Sequence, residues 1–439
     1  MSVSHSPLEV LERATRGLPV PPADVRAFVV SWLTGGATDP QMAAWCAVAA
    51  ARGLDEDAVR ALTSALIASG DRLDLAPLGA VGDLHTTGVV GGSAGLVVPP
   101  LAAALGVRVA AIADRGRGHV GGAVDSLEAI PGYRARLGLE EFVVQVRDVG
   151  CAVVSQTDRL APGEERLAVL RDQTATMDVP PLIAATVMAR AIVGGAKGVV
   201  VDVACGDGAF LPNREAAVRA AGLMVRLAEP WDRTVRWVVT SMEAPRGRAV
   251  GNALEVREAG RVLSGGGDPD ARMVAVALAG ELAEAVGAVP AGEGAERAGR
   301  ALADGTALAA AERWVQAQGG DPSAWTEVAV TPQAPLRLEV PAPRSGVLTA
   351  MPARVVGEAV RRLGAGRLHP SQDVDHAVGL EILVGVGEPV TAGDPVAIVH
   401  ARDEYMGNAC VTQIEDCLLI GDRPVESQPA VLLRDTDAT

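Results

Sequence analysis

Several residue types are scarce in this sequence. Lys197 is the only lysine, so almost all of the positive charge is carried by arginine, a bias typical of a GC-rich genome. Aromatic residues make up only 3%, so alanine, valine and leucine have to fill the core. Apolar residues reach 49%, which is typical of a packed globular protein and argues against disorder.

Other absences limit the cellular setting and the class of partner. The chain has no apolar run of membrane-spanning length, and its N-terminal segment lacks the basic stretch and apolar core of a signal peptide. Its five cysteines form no C-x-x-C pair, which indicates neither a zinc site nor a disulfide framework. The net charge of −15 disfavours nucleic acid and anionic membranes as partners. We therefore expect a cytoplasmic protein that acts on a small molecule.

The apolar pattern changes along the chain. Residues 1–75 are predicted to be helical, and Val59, Leu62 and Leu66 have the spacing of one helix face. Beyond residue 80, glycine-rich loops alternate with valine runs such as GVVVDVACGDG. This pattern favours a parallel sheet that is covered by helices on both faces. Residues 165–195 are predicted to be helical again and should rejoin the N-terminal helices.

A C-terminal module follows a proline-containing stretch near residues 331–345. Its segment EILVGVGEPVTAGDPVAIVHA alternates apolar residues with glycine and proline turns, which predicts small antiparallel hairpins. The pattern is similar to lipoyl or biotinyl carrier domains, but no lysine is present to carry a cofactor, so a structural role is favoured. The predicted segments are 1–75, 76–160, 161–195, 196–335 and 336–439.

Three segments carry groups that are suited to chemistry: DLHTTGVVGG (83–92), ADRGRGHVGGAVDSLE (113–128) and LRDQTATMDVPPLIAATVMAR (170–190). Glycines in the first allow backbone amides to turn toward an anion, and His85 could protonate a leaving group near neutral pH. Thr186 and Arg190 share a helix face because they are four residues apart. Taken singly, each segment has a structural alternative: a plain turn, a buried histidine or a solvated arginine face.

In this order and spacing, the three segments resemble the thymidine phosphorylase and pyrimidine-nucleoside phosphorylase family. The shared motifs are D-x-H-x-T-G-x-V-G, R-G-x-G-H-x-G-G-x-x-D-x-L-E-x-I-P-G and R-D-x-T-A-T-x-D, and GNALEVREA (251–259) is also similar. The resemblance covers nearly the whole chain. It implies an α/β fold in which a discontinuous all-helical domain is hinged to a larger domain with a mostly parallel central sheet. The C-terminal module would be hairpin-rich α+β. It also implies a substrate cleft between the domains and a homodimer formed through the helical domain.

The resemblance also implies a site for a pyrimidine base. His85 occupies the position of the histidine that contacts the departing base. Arg171, Thr186 and Arg190 occupy the positions of an arginine, a serine and a lysine that hold the base. The base leaves as an anion, which fixed donors stabilise. Glu164 stands where the family usually has aspartate, and it could orient or charge the imidazole.

The phosphate site implied by the resemblance is altered. The family places one lysine, three serines and a threonine around phosphate, and the matching positions here are Leu84, Thr86, Gly95, Ala113 and Ala123. Only Thr86 keeps a donor, and genome bias would have replaced the lysine with arginine rather than leucine. Each lost hydrogen bond to a charged group is worth about 1.5–3 kcal/mol. The sequence therefore predicts weakened phosphate binding.

Two acidic residues are expected near this altered site, Asp114 and Asp207. Asp114 would repel a phosphate dianion and could instead deprotonate water or a sugar hydroxyl. Alternatively, Asp114 pairs with Arg115 or Arg117 and has no chemical role. Asp207 lies in GDGAF, where the family commonly has serine.

Three functions follow from these residues. In the first, a pyrimidine nucleosidase, the base leaves through His85 and the base-binding residues while water activated by Asp114 attacks the sugar; a variant of this function transfers the sugar to another non-phosphate acceptor. In the second, ordinary phosphorolysis, phosphate is held by backbone amides of 86–92, by Thr86 and Thr87, and by Arg115 or Arg117. In the third, the chain binds nucleosides without turnover. No cofactor is expected.

The sequence also gives no reason to expect a bound metal. Some family members bind potassium, and Glu255 falls in a suitable region for such an ion. Val90 lacks the side-chain oxygen that is often found there. We therefore assign no residue to a metal site.

Overall fold

Helices and strands alternate along most of the chain, and the computed structural model describes residues 5–423 and 428–437. The α-helices are α1 (Pro7–Thr15), α2 (Pro22–Leu33), α3 (Asp39–Arg52), α4 (Glu56–Ile67), α5 (Ala94–Ala104), α6 (Ala123–Glu128), α7 (Leu139–Val149), α8 (Pro162–Gln173), α9 (Pro180–Gly194), α10 (Arg214–Ala228), α11 (Asn252–Leu263), α12 (Pro269–Ala285), α13 (Gly294–Ala303), α14 (Thr306–Ala317), α15 (Ala353–Val360) and α16 (Glu404–Cys417). The strands are β1 (Val81–Thr86), β2 (Arg108–Ala113), β3 (Cys151–Ser155), β4 (Gly198–Cys205), β5 (Thr234–Ser241), β6 (Ala249–Val250), β7 (Leu336–Pro341), β8 (Gly346–Ala350), β9 (Gly379–Ile382), β10 (Pro389–Val390), β11 (Pro395–Ala401), β12 (Leu419–Gly421) and β13 (Val431–Arg434).

The helical domain combines α1–α4 with α8 and α9, which return to it after the first strands. Helix α4 begins where Asp55 caps it by accepting a hydrogen bond from the backbone of Ala58. Its predicted apolar face, with Val59, Leu62 and Leu66, is buried, and the helix packs against α2 and α9. The predicted discontinuous helical domain is therefore confirmed.

The central sheet has the strand order β13-β5-β4-β1-β2-β3, and every pair is parallel except β13 with β5. Helices α5 and α12 cover one face, while α7, α9 and α10 cover the other. Every residue of β4 is buried, because successive valines of this strand enter the apolar cores on opposite faces. This confirms the predicted parallel sheet with two covered faces.

The strand order reverses direction between β4 and β1. From β1 the chain proceeds outward through β2 and β3, whereas β4 and β5 lie on the other side of β1. In open α/β sheets, ligands bind outside the carboxyl ends of the strands at such a reversal. Residues 85–88, 113–117 and 155–156 meet at this edge, together with α9 of the helical domain.

Antiparallel sheets form the C-terminal module, with the orders β10-β8-β12 and β6-β9-β11-β7. Two strands cross the expected division between residues 335 and 336. Strand β6 precedes it in sequence but pairs with β9, and β13 follows it but joins the central sheet beside β5. The segment boundaries themselves stay a prediction. No helix in the described part of the chain is long and apolar enough to cross a membrane.

Candidate active site

Two adjoining cavities lie at the carboxyl ends of the central strands. We name them the helix-side cavity, of about 70 Å³, and the sheet-side cavity, of about 60 Å³. Four residues line both of them: Thr86, Asp114, Gly121 and Arg190. A ligand that spans both cavities would therefore pass between Asp114 and the loop after β1.

The helix-side cavity contains the three residues that were predicted to hold a base. Arg171 is almost fully buried and donates hydrogen bonds to the Thr176, Met177 and Leu182 carbonyl oxygens and to the Thr186 hydroxyl. These bonds fix its guanidinium between α8 and α9, and burial lowers its pKa to about 10. Apolar side chains complete the walls, and the larger ones include Met177, Ile183, Val187 and Phe210. Apolar walls with a few fixed donors suit a planar heterocycle.

Arg190 lies at the junction of the two cavities, paired with carboxylates. Its Nη1 donates to Asp114 Oδ1 and lies 3.4 Å from both oxygens of Glu164. Glu164 is buried, and burial raises its pKa to about 7 against the opposing charge of Arg190. Asp114 pairs with neither Arg115 nor Arg117. Its Oδ2 receives no hydrogen bond from any described residue, and the side chain is 31% exposed.

His85 is buried beneath Arg190, and both of its ring nitrogens are engaged. Its Nε2 lies 2.9 Å from Asp83 Oδ2, and Arg190 Nε donates to its Nδ1 over 3.3 Å. These contacts assign the neutral ring with hydrogen on Nε2. His85 lines the sheet-side cavity and is absent from the lining of the helix-side cavity. Glu164 does not contact it directly, because Arg190 lies between them.

The sheet-side cavity brings together the positions that the resemblance assigns to phosphate. Leu84, Gly95, Ala113 and Ala123 all line it, together with apolar residues of α5, β2 and β3. Gly95 is packed so closely that an added Cβ would lie 2.7 Å from that of Ala123. The charged residues in the lining are Asp114, Asp202 and Arg190. Most of its lining is therefore apolar, and its charged residues carry no net positive charge.

The arginines expected to rebuild a phosphate site are engaged elsewhere, whereas the two threonine hydroxyls are acceptors in their hydrogen bonds with described residues and keep their O–H groups as donors. Arg115 pairs with Asp125 and Glu128, and Arg117 pairs with Glu165. The Thr87 hydroxyl accepts from the backbone of Ala204, and the Thr86 hydroxyl accepts from the backbone of Gly88. Thr86 lines both cavities, whereas Thr87 and Arg115 line only the helix-side cavity.

Asp207 lies outside both cavities. Its carboxylate accepts a hydrogen bond from the backbone of Arg354, and its side chain lines a separate cavity beside Glu243 and Met351. The loop after β4 therefore turns this carboxylate toward α15 of the C-terminal module. This corrects the expectation that Asp207 belongs to the acceptor site.

Glycines bring the loop after β2 close to the strand ends. An added Cβ at Gly122 would lie 2.1 Å from the backbone nitrogen of Gly116, so only glycine fits where α6 meets this loop. Gly88 has a φ of +106°, and an added Cβ there would lie 2.9 Å from the Phe210 ring, which closes one side of the helix-side cavity. Backbone packing thus shapes the cleft as much as side chains do.

Sequence reasoning missed Gln156, which follows β3. Its Nε2 donates to Asp114 Oδ1 over 2.8 Å and to Glu164 Oε2 over 3.0 Å, so it bridges the two carboxylates. It also missed Asp83, which is fully buried and accepts from His85. The position of Gln156 at the carboxyl end of a buried strand was the available signal.

Gln156→Ala is expected to slow turnover about 10- to 100-fold, because a hydrogen bond to a charged group is worth about 1.5–3 kcal/mol. Without the amide, Glu164 loses a hydrogen bond that stabilises its charged form, so the pKa of Glu164 should rise above about 7 and the pH profile should move upward. The measurement is kcat against pH. Gln316→Ala, on the exposed surface of α14, is the control. An unshifted profile would contradict the bridging role.

Glu255 is a second buried carboxyl, on α11. It accepts from the Gly251 backbone and the Ser126 hydroxyl, and burial raises its pKa to about 8. No group of three or more potential metal-ligating His, Cys, Asp or Glu residues occurs in the described ranges.

The free energy of unfolding should fall as the pH rises between about 4.5 and 8, because Glu255 keeps its proton in the folded state and releases it on unfolding. This stabilisation is complete below the unfolded-state pKa and is lost as the pH passes the folded-state pKa. In the Glu255→Gln variant, the decrease in the free energy of unfolding between pH 5.5 and 7.5 should be smaller by up to about 2–3 kcal/mol. Urea unfolding at both pH values tests this, with the exposed Glu215→Gln as control. If the free energy of unfolding depended equally on pH in the wild type and in Glu255→Gln, Glu255 would be excluded as the cause.

Three stretches of the chain match known family models. Residues 8–70 match the helical bundle domain and residues 78–308 the a/b domain of the glycosyl transferase family. Residues 347–421 match the pyrimidine nucleoside phosphorylase C-terminal domain. All three matches follow the order seen in the fold.

Curated relatives match along the full length. Thymidine phosphorylase from Agrobacterium fabrum is 37% identical over 99% of this chain and 100% of that protein. Pyrimidine-nucleoside phosphorylase from Geobacillus stearothermophilus is 34% identical over 91% of this chain and 93% of its own length. The solved structure of anthranilate phosphoribosyltransferase from Thermus thermophilus is similar in fold alone, with a TM-score of 0.55 and 18% identity over 70% of this chain and 99% of that one. The chain therefore belongs to the glycosyl transferase family of pentosyl-transferring enzymes that cleave N-glycosidic bonds, with the helical bundle, a/b and pyrimidine nucleoside phosphorylase C-terminal domains.

Proposed function

We propose that this enzyme cleaves the N-glycosidic bond of a pyrimidine nucleoside and transfers the pentosyl group to water. One observation carries the choice of acceptor: the cavity at the phosphate positions has apolar walls and is bordered by Asp114, whose Oδ2 is free to accept a proton. The names of the full-length relatives support a pyrimidine nucleoside as substrate.

The base would occupy the helix-side cavity. Arg171, Thr186 and Arg190 line it, and the apolar residues of α9 and Phe210 would contact the faces of the ring. As the bond between the sugar and the base breaks, its electron pair passes to the base. Fixed donors stabilise that charge best in a site from which water is excluded. Arg190 donates a hydrogen bond to His85 Nδ1. His85 would therefore act on the base through Arg190, or directly once the base takes the place of Arg190 as its hydrogen-bond partner.

Water would occupy the sheet-side cavity next to Asp114. Its oxygen attacks the anomeric carbon, and Asp114 Oδ2 accepts a proton from it. That proton then passes to the departed base, which gives free pentose and neutral pyrimidine. Arg190 and Gln156 both donate to Asp114 Oδ1, and these two bonds fix the orientation of the carboxylate and therefore of its unbonded Oδ2.

Ordinary phosphorolysis is the second candidate, since relatives at 34–37% identity over nearly the full length are named phosphorylases. Phosphate would then contact backbone amides of the loop after β1 and the Thr86 hydroxyl. It would also have to displace Asp114 from Arg190, or Arg115 and Arg117 from their acidic partners. The product would be a pentose 1-phosphate.

Base release from uridine and thymidine, with and without phosphate, distinguishes the two acceptors when phosphorus NMR follows the sugar. We expect base release at the same rate without phosphate, together with free sugar. Base release that requires phosphate and yields a sugar phosphate would establish phosphorolysis. Binding of nucleoside without any base release would indicate a nucleoside-binding protein that does not turn over its ligand.

Leu84→Lys is expected to introduce phosphate dependence, because it returns a cation to the sheet-side cavity. Leu84→Met keeps the apolar wall and serves as the matched control. Phosphate should accelerate base release by Leu84→Lys at least about tenfold, as one hydrogen bond to a charged group is worth about 1.5–3 kcal/mol. An equal response in both variants would argue against an acceptor site at this position.

The predicted homodimer through the helical domain is part of the same proposal. Leu8, Leu18 and Val30 of this domain are exposed apolar residues, at 60%, 48% and 41%. Sedimentation at micromolar concentration tests it. A monomer that retains full activity would remove this part of the proposal.

A further inference from the structure

A third cavity, of about 300 Å³, lies between the α/β domain and the C-terminal module, and we name it the arginine cavity. Helix α11 contributes Arg257 and Arg261, strand β7 contributes Arg337, and Trp325 closes one wall. It shares no lining residue with the helix-side or sheet-side cavity. Its volume falls at the lower end of the roughly 300–1,000 Å³ that is typical of small-molecule sites.

The charge of this cavity is opposite to that of the whole chain. Its three arginines face a single carboxylate, Glu381, although the protein carries a net charge of −15. Glu381 is shared, because both Arg337 and His400 lie 3.3 Å from its Oε2. The side chain of Arg261 makes no hydrogen bond or ion pair with any residue in the described ranges. The cavity lining therefore carries two more positive charges than negative charges.

Arg257 is anchored so that part of its guanidinium stays available. Its Nε donates to the Thr331 hydroxyl and its Nη2 to the Pro332 carbonyl oxygen, both neutral acceptors. Burial, together with the nearby charges of Arg261 and Arg337, lowers the pKa of Arg257, and Glu381 only partly opposes this. An anion between these three side chains would relieve their mutual repulsion.

Trp325 forms part of the cavity wall. The residue is 3% exposed, and its ring packs against Trp314, which fixes the indole in place. A fixed aromatic side chain gives the cavity a rigid apolar wall beside its charged groups, as is usual for sites that bind small molecules.

We propose that the arginine cavity binds a small phosphorylated metabolite, whose phosphoryl group is held by Arg257, Arg261 and Arg337 and whose organic part lies against the wall formed by Trp325. A phosphate monoester matches the two unbalanced positive charges, and guanidinium groups bind phosphate oxygens in pairs. The cavity is larger than a phosphate ion requires, which leaves room for a group of pentose size.

Calorimetric titration of the full chain with ribose 5-phosphate, inorganic phosphate and succinate tests this site. We expect ribose 5-phosphate to bind most tightly. Equal affinity for succinate would overturn the phosphoryl assignment, and equal affinity for inorganic phosphate would overturn the role of the organic part. The absence of heat with all three probes would overturn the site itself.

Substitutions in the arginine cavity test whether ribose 5-phosphate binds there. Arg261→Gln combined with Arg337→Gln changes two exposed side chains and should weaken ribose 5-phosphate binding at least about tenfold. Arg219→Gln, an exposed arginine on α10, should bind like the wild type. Unchanged affinity in the double variant would overturn the proposal.

Hydrogen–deuterium exchange separates this site from the active-site cleft. Saturation with ribose 5-phosphate should protect residues 322–334 and 396–401, which border the arginine cavity. Protection confined to residues 84–92 would show binding in the cleft instead and would overturn the proposal. Because the two regions share no residues, this result does not depend on which acceptor the enzyme uses.

Discussion

Asp114→Asn is expected to lower the kcat of base release by about 10²- to 10⁴-fold, the range for loss of a general base, with little change in KM. The amide can still accept from Arg190 and Gln156, so the contacts that hold Oδ1 are kept. What is lost is the free Oδ2 that would take a proton from water. Steady-state kinetics with uridine, in buffer free of phosphate, measures this effect.

The same variant distinguishes the two acceptors. If the enzyme used phosphate, removal of the Asp114 charge would reduce repulsion, and phosphate-dependent activity would persist or improve. Asp207→Asn is the matched control, since Asp207 is also an acid near a strand end but lies outside both cavities. It should behave like the wild type. Retention of full water-dependent activity in Asp114→Asn would refute the role proposed for this carboxylate.

Arg171→Ala is expected to have the second large effect, a loss of base binding together with a loss of stability. Three backbone carbonyl oxygens, those of Thr176, Met177 and Leu182, accept from this one guanidinium. Each buried acceptor that loses its donor costs about 1–3 kcal/mol. The free energy of unfolding should therefore fall by several kcal/mol, which urea denaturation measures.

Binding and folding have to be separated in this experiment. Arg171→Lys keeps a positive charge but cannot make the same set of bonds, so it should fold better than Arg171→Ala and still bind the base poorly. Calorimetry with uracil and thymine gives the affinity at a temperature where each variant is folded. Arg219→Ala, at an exposed site, is the control. Unchanged affinity for the base in a folded Arg171 variant would refute the assignment of the helix-side cavity.

Much of the fold could be predicted from local patterns. The valine run of β4 indicated a strand buried on both faces, and the spacing of Val59, Leu62 and Leu66 indicated a helix with one buried face. These patterns depend only on near neighbours in the sequence. Strands β6 and β13 could not be predicted in the same way, because their partners β9 and β5 lie far away along the chain. No local pattern specifies such a pairing.

The sequence by itself determined which chemical groups stand at the motif positions. It was enough to predict the family, and the apolar identities of Leu84, Ala113 and Ala123 were the basis for predicting an altered acceptor site. A side chain's identity fixes its charge, its volume and its hydrogen-bonding atoms wherever the chain places it.

Only the tertiary structure decided which of these groups touch. The sequence did not decide whether Asp114 pairs with Arg115 or with Arg190, which lies 76 positions away. The fold placed Asp114 against Arg190. It also set Gln156 between Asp114 and Glu164, placed Arg190 against His85, and turned Asp207 out of the cleft. The physical reason is that side-chain direction follows from the register of β1, β2 and β3 and from the packing of α9 across their ends. Register and packing are properties of the assembled core.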